Sequence, residues 1–151
     1  VSATMSQTRP LRRPRGMNLI AHRLCLILLT IVGLSLGLWA YFAPLHWYST
    51  FPGMGMRWLP VLGPYNEHFV KDVGAMFLAL GVLSALAVYY LRNRPVVVIT
   101  AISWSVFNAL HLIYHLGMLH MYGPRDAVLN AVGLSLLLAA SLILLVPARA
   151  T

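Results

Sequence analysis

Four apolar runs, at residues 19–40, 73–91, 96–118 and 128–146, are each long enough to cross a bilayer, whose hydrocarbon core requires about 20 residues of helix. The strands of a membrane barrel alternate in polarity and need only about ten residues, so uninterrupted runs of this length specify helices. With 60% hydrophobic residues, 9% charged residues and a mean hydropathy of +0.77, a water-soluble globule is excluded. The expected fold class is therefore all-α: an integral membrane four-helix bundle over residues 17–148, preceded by a basic tail at 1–16. Its longest connection lies at 41–67, between the first two spans.

Lys and Arg in short connections are retained on the cytoplasmic side. Arg9, Arg12, Arg13, Arg15 and Arg23 precede or open the first span, Arg92 and Arg94 lie in the second connection, and Arg149 follows the last span. Only Arg57, Lys71 and Arg125 fall on the other side. Both termini are accordingly expected in the cytoplasm. The net charge of +8 then serves topology and contact with anionic lipid headgroups. It does not indicate nucleic acid, since no folded polar face gathers the charge. The tail, rich in Pro, Arg, Ser and Thr, has little apolar surface to bury and is expected to be mobile. The first run outlasts a signal h-region and has no A-x-A-like cleavage site, so it reads as a retained helix. A single cysteine, Cys25, excludes an internal disulfide, a C-x-x-C redox pair and C-x-x-C-H haem attachment.

The 41–67 connection combines Pro44, Pro52, Pro60 and Pro64 with Trp47, Tyr48, Phe51, Trp58 and Tyr65. Frequent prolines forbid a long helix, and the aromatics suit the headgroup region, so the segment is expected to lie at the outer interface and cap the bundle. A connection of this length is also a candidate lid or binding element.

Polar residues inside the spans carry the functional signal, because an ionisable group at bilayer depth faces the bundle interior or a wet cavity. Trp104, Asn108, His111 and His115 follow the spacing of one helical stripe. His68 and Asp72, with Glu67 beside them, and Asp126, Asn130 and Gly133 form stripes on two further helices. The topology brings all three stripes to the outer half of the membrane, where they predict an outward-facing pocket lined by Glu67, His68, Asp72, Asn108, His111, His115, Asp126 and Asn130.

Imidazole and carboxylate one turn apart form a half-site for a transition metal. Glu67, His68, Asp72, His111 and His115 are the candidate metal ligands, and Asn108, Asp126 and Asn130 the candidate contacts to a bound group. Copper, zinc and iron would each accept this set. Met54, Met56, Met118, His120 and Met121 lie close in sequence, and thioethers favour Cu(I). Haem b fits less well, since His111 and His115 share one helix face and the second axial ligand would have to come from His68. No H-E-x-x-H motif is present. The plain structural alternative is a ligand-free hydrogen-bonded network joining the helices. Acid–base chemistry on a lipid-like substrate is a third option, although no nucleophile, phosphate loop or dinucleotide fingerprint indicates a reaction.

The stretch Gly63-Pro-Tyr-Asn-Glu67-His68-Phe-Val-Lys-Asp72-Val-Gly74, with His111-Leu-Ile-Tyr-His115 and His120, resembles a group of small four-helix membrane proteins common in actinobacteria and similar in helix arrangement to the DoxX-like group. The resemblance implies fold and membrane location, and it singles out Glu67, His68, Asp72, His111 and His115. Some DoxX-like proteins are associated with redox complexes, an association that reaches this chain by analogy alone; separately, the small size of the chain raises the reading of an accessory subunit among other membrane subunits. Gly33 and Gly37 form a G-x-x-x-G able to support close helix approach.

Overall fold

The computed structural model describes residues 19–148. The tail at 1–16 and Arg149 lie outside the described residues. The chain runs through α1 (Leu19–Phe42), α2 (Pro44–Thr50), a hairpin of β1 (Pro52–Gly53) and β2 (Met56–Arg57), α3 (Glu67–Tyr89), α4 (Arg94–Gly117), a 3₁₀ turn (Leu119–Met121) and α5 (Pro124–Ile143). Helices α1, α3, α4 and α5 are long and apolar enough to cross a membrane. The protein is all-α and has the composition of a multi-pass membrane bundle.

Helix ends follow local capping chemistry more closely than hydropathy. Helix α3 starts at Glu67 instead of Val73 because the Asn66 side chain accepts the Phe69 N–H at 3.3 Å, satisfying one of the free donors of the first turn. Helix α5 starts at Pro124 instead of Val128, since proline's fixed φ and missing N–H suit a first helical position. In both cases the polar first turn is helical but too hydrophilic to belong to an apolar run. The 41–67 connection is likewise partly ordered: α2 follows Ala43, and β1 pairs antiparallel with β2. Its two-residue turn, Met54-Gly55, has φ of 51° and 81°, the positive pair required by a type I′ hairpin.

The bundle is built from two hairpins. Helix α1 packs intimately along α3, and α4 along α5, whereas contacts between the two pairs are sparser. Glycine sets the first pairing. A Cβ placed on Gly33 would lie 2.6 Å from the Gly81 Cα, and one on Gly74 would lie 2.7 Å from the Tyr41 backbone nitrogen. Backbone therefore meets backbone along the α1/α3 seam, the close approach that small residues allow in membranes. The G-x-x-x-G motif is used within the chain.

At the end carrying Arg23 and Arg92, the Arg94 guanidinium donates to the Leu144 carbonyl at 2.6 Å and to the Leu145 carbonyl. It thereby satisfies acceptors that the end of α5 leaves free. The acids Glu67, Asp72 and Asp126 stand at the opposite end, where Trp58 of the α1–α3 connection reaches Tyr122. Leu26, Leu29, Phe77, Val97, Ala101 and Trp104 form the main core.

Replacing Gly33 by Ala forces a methyl group against the α3 backbone and should destabilise the protein by about 1–3 kcal/mol. Gly117→Ala, whose added Cβ meets open space, should stay within about 0.5 kcal/mol of the parent. Denaturant or thermal unfolding in detergent measures both.

Candidate functional site

A cavity of about 400 Å³ lies between the two hairpins, beneath the α1–α3 connection. Its roof is Trp47, Phe51, Trp58 and Leu59, and its apolar walls include Leu36 of α1, Val73 and Phe77 of α3, and Leu134 and Leu137 of α5. Asn108, His111 and His115 of α4 and Asn130 of α5 supply its polar side. Leu28 of α1 and Leu136 of α5 also line it. They are 43% and 61% exposed, so the cavity borders the outer surface of the bundle between α1 and α5, a weakly packed helix pair.

The polar wall derives from the helical period of α4. Trp104, Asn108 and His115 are buried and His111 is half-buried, while Ile113 and Leu110 on other faces are exposed. Trp104 anchors the stripe by donating its Nε1–H to Ser84 Oγ at 2.6 Å. Asn108 Nδ2 donates to the Leu137 carbonyl at 3.2 Å, joining α4 to α5. Rings then continue toward the roof: Phe77 meets Phe107 edge-on at 5.2 Å, Phe107 stacks on His111 at 5.1 Å, and His111 meets His115 at 4.5 Å. The two imidazoles are thus held by aromatic contacts.

Four residues of the lining carry shielded polar atoms without a hydrogen-bond partner among the described residues: Trp47 Nε1, Trp58 Nε1, His115 Nδ1 and Asn130 Oδ1. Buried polar groups are usually satisfied. Their concentration around one cavity marks a place where a bound molecule could complete the hydrogen bonding.

The other residues expected in the pocket are placed elsewhere. His68 pairs with Asp72 at 3.4 Å, with side chains 78% and 63% exposed, and Glu67 pairs with Lys71 at 2.8 Å. None of these residues lines the cavity. They occupy the first turns of α3, where side chains can reach an aqueous or headgroup environment and pair along the helix. Asp126 is half-buried in the first turn of α5, also outside the lining. The proposed ligand set Glu67, His68, Asp72, His111 and His115 is therefore not gathered, and among the described residues no three His, Cys, Asp or Glu side chains form a group able to hold a metal ion. Met54 is almost fully exposed at the hairpin turn, and His120 Nδ1 lies 3.1 Å from the Gly117 carbonyl, so the soft donors near in sequence do not join the cavity either.

One feature of the site was hidden from residue spacing. The roof tryptophans enter the site through the fold of the connection, which no periodicity describes. His22, only 1% exposed on α1, is an ionisable residue within an apolar run, the same signal that singled out His111. It lies outside the cavity lining. No family model, curated protein or solved structure matches the chain.

Tyr122 adjoins the roof, edge-on to Trp58 at 6.2 Å, and its hydroxyl has no hydrogen-bond partner among the described residues. Burial, aided by Tyr114, pushes its phenol from the ordinary 10.0 up to about 12. Between these values the unfolded chain releases a proton that the folded chain keeps, so stability falls as pH rises through that window. Melting in detergent across this range should show the decline, and Tyr122→Phe should make it shallower.

Proposed function

We propose that this protein binds a small amphipathic molecule within the membrane, with an apolar body among the leucines and phenylalanines and a polar end against His111, His115 and Asn130. The observation that carries the reading is the single cavity wall on which these polar residues interrupt an otherwise apolar lining. Its volume of about 400 Å³ falls within the usual range of ligand pockets, about 300–1,000 Å³. The exposed Leu28 and Leu136 support access from the hydrocarbon region between α1 and α5. The arginine distribution favours a cytoplasmic basic end, and with that orientation the cavity would lie in the outer half of the membrane.

An organic ligand fits better than a metal. The two imidazoles have no third His, Cys, Asp or Glu grouped with them among the described residues, whereas structural transition-metal sites commonly take four protein ligands. The accessory-subunit alternative loses its motif, because Gly33 and Gly37 are engaged by α3.

Organic extraction of protein purified in mild detergent, followed by mass spectrometry, should yield one enriched amphiphile in near-stoichiometric amount. A Cβ on Gly133 meets nothing within 4 Å, so Gly133→Leu can fill cavity space without a forced backbone clash. Retention should fall at least about tenfold, equivalent to 1.4 kcal/mol, while the melting temperature holds or rises. His115→Ala should weaken retention less. A parent protein without an enriched molecule, or a Gly133→Leu variant that retains it fully, would overturn the proposal.

A further inference from the structure

A second cleft, separate from the cavity and at the opposite end of the bundle, lies between the first turns of α1 and the end of α3. It encloses about 660 Å³ and is lined by Leu19, Ile20 and Arg23 on one side and by Val88 to Asn93 on the other. Arg23 and Arg92 approach it from different elements. Neither has an ion pair or a hydrogen bond among the described residues. The neighbouring Arg94 is committed to the Leu144 and Leu145 carbonyls, and the three acids of the chain stand at the far end. Among the described residues, two guanidinium groups therefore share one cleft with no carboxylate paired to them.

The surroundings favour an amphiphile over a free ion. Tyr89 and Tyr90 meet edge-on at 4.8 Å and are 80% and 50% exposed, in keeping with the aromatic belt of a membrane interface. Ile20 and Leu24 of α1 and Val82 and Leu86 of α3, the residues that follow the cleft along the two helices, are apolar and well exposed. Guanidinium matches phosphate in charge and in the geometry of paired donors. We propose that this cleft is a specific site for the phosphate of an anionic membrane lipid, held by Arg23 and Arg92, with its acyl chains lying along the outer surface of α1 and α3.

Native mass spectrometry of the full chain, titrated in detergent with phosphatidylglycerol, phosphatidylcholine or inorganic phosphate, tests the site. Phosphatidylglycerol should be retained at defined stoichiometry, phosphatidylcholine should bind at least about tenfold more weakly, and inorganic phosphate should not displace the bound lipid at equal concentration. Arg23→Gln/Arg92→Gln should lower retention about tenfold or more, consistent with two lost charges near the headgroup. Arg57→Gln/Arg125→Gln, removing the same charge from the other end, should leave it unchanged. The single Arg92→Gln, at an exposed turn position, provides a separate reading that spares helix packing, and Arg23→Lys/Arg92→Lys should preserve part of the binding. Equal retention of phosphatidylcholine, full retention by the double glutamine variant, or an equal loss in the Arg57/Arg125 variant overturns the proposal. Displacement by inorganic phosphate at equal concentration overturns the assignment to a lipid.

Discussion

Backbone contact between α1 and α3, at Gly33, Gly37, Gly74 and Gly81, is the constraint on which the rest of the bundle depends. Lipid tails are as apolar as leucine, so hydrophobicity alone gives these helices little reason to choose one another over the bilayer. Close packing does, and only a helix face without side chains permits it. Once α1 and α3 are joined along that seam, α4 and α5 form a second pair, and bulky side chains separate the pairs. Trp104, Phe77 and Phe107 fill the space near the middle. Toward the Trp58 end, filling is incomplete and the cavity begins.

The four spans and the inward stripe of α4 were legible because both rest on severe penalties. Trp104 and Asn108 lie well inside a span, and a polar atom at that depth must find a protein partner; Ser84 and the Leu137 carbonyl provide them. His68 and Asp72 show the same one-turn spacing, yet pair with each other on an exposed face. At the end of a helix, polar groups can reach water or headgroups, so the penalty that makes a stripe diagnostic is weak. Spacing identifies residues that share a face, but depth decides whether that face must turn inward.

The connection between α1 and α3 illustrates another limit. Its prolines and aromatics announce an interfacial segment, but the particular rings that reach the cavity depend on α2 and on the turn at Met54-Gly55. Trp47 packs with Ala40 and Val70, while Phe51 and Trp58 extend the roof toward Tyr122. A positive-φ turn and a short helix are local events, whereas the roof is their combined result.

The Arg94 fork has a mechanical consequence. It ties the start of α4 to the end of α5, while the segment around the 3₁₀ turn joins their other ends, so this pair is fastened at top and bottom. The glycine seam fastens α1 to α3. The two halves are connected covalently only through the short Tyr90–Asn93 turn, beside the fork. The covalent link and the fork therefore sit together at the arginine end, and at the tryptophan end the halves meet, among the described residues, through side chains alone, Trp58 against Tyr122.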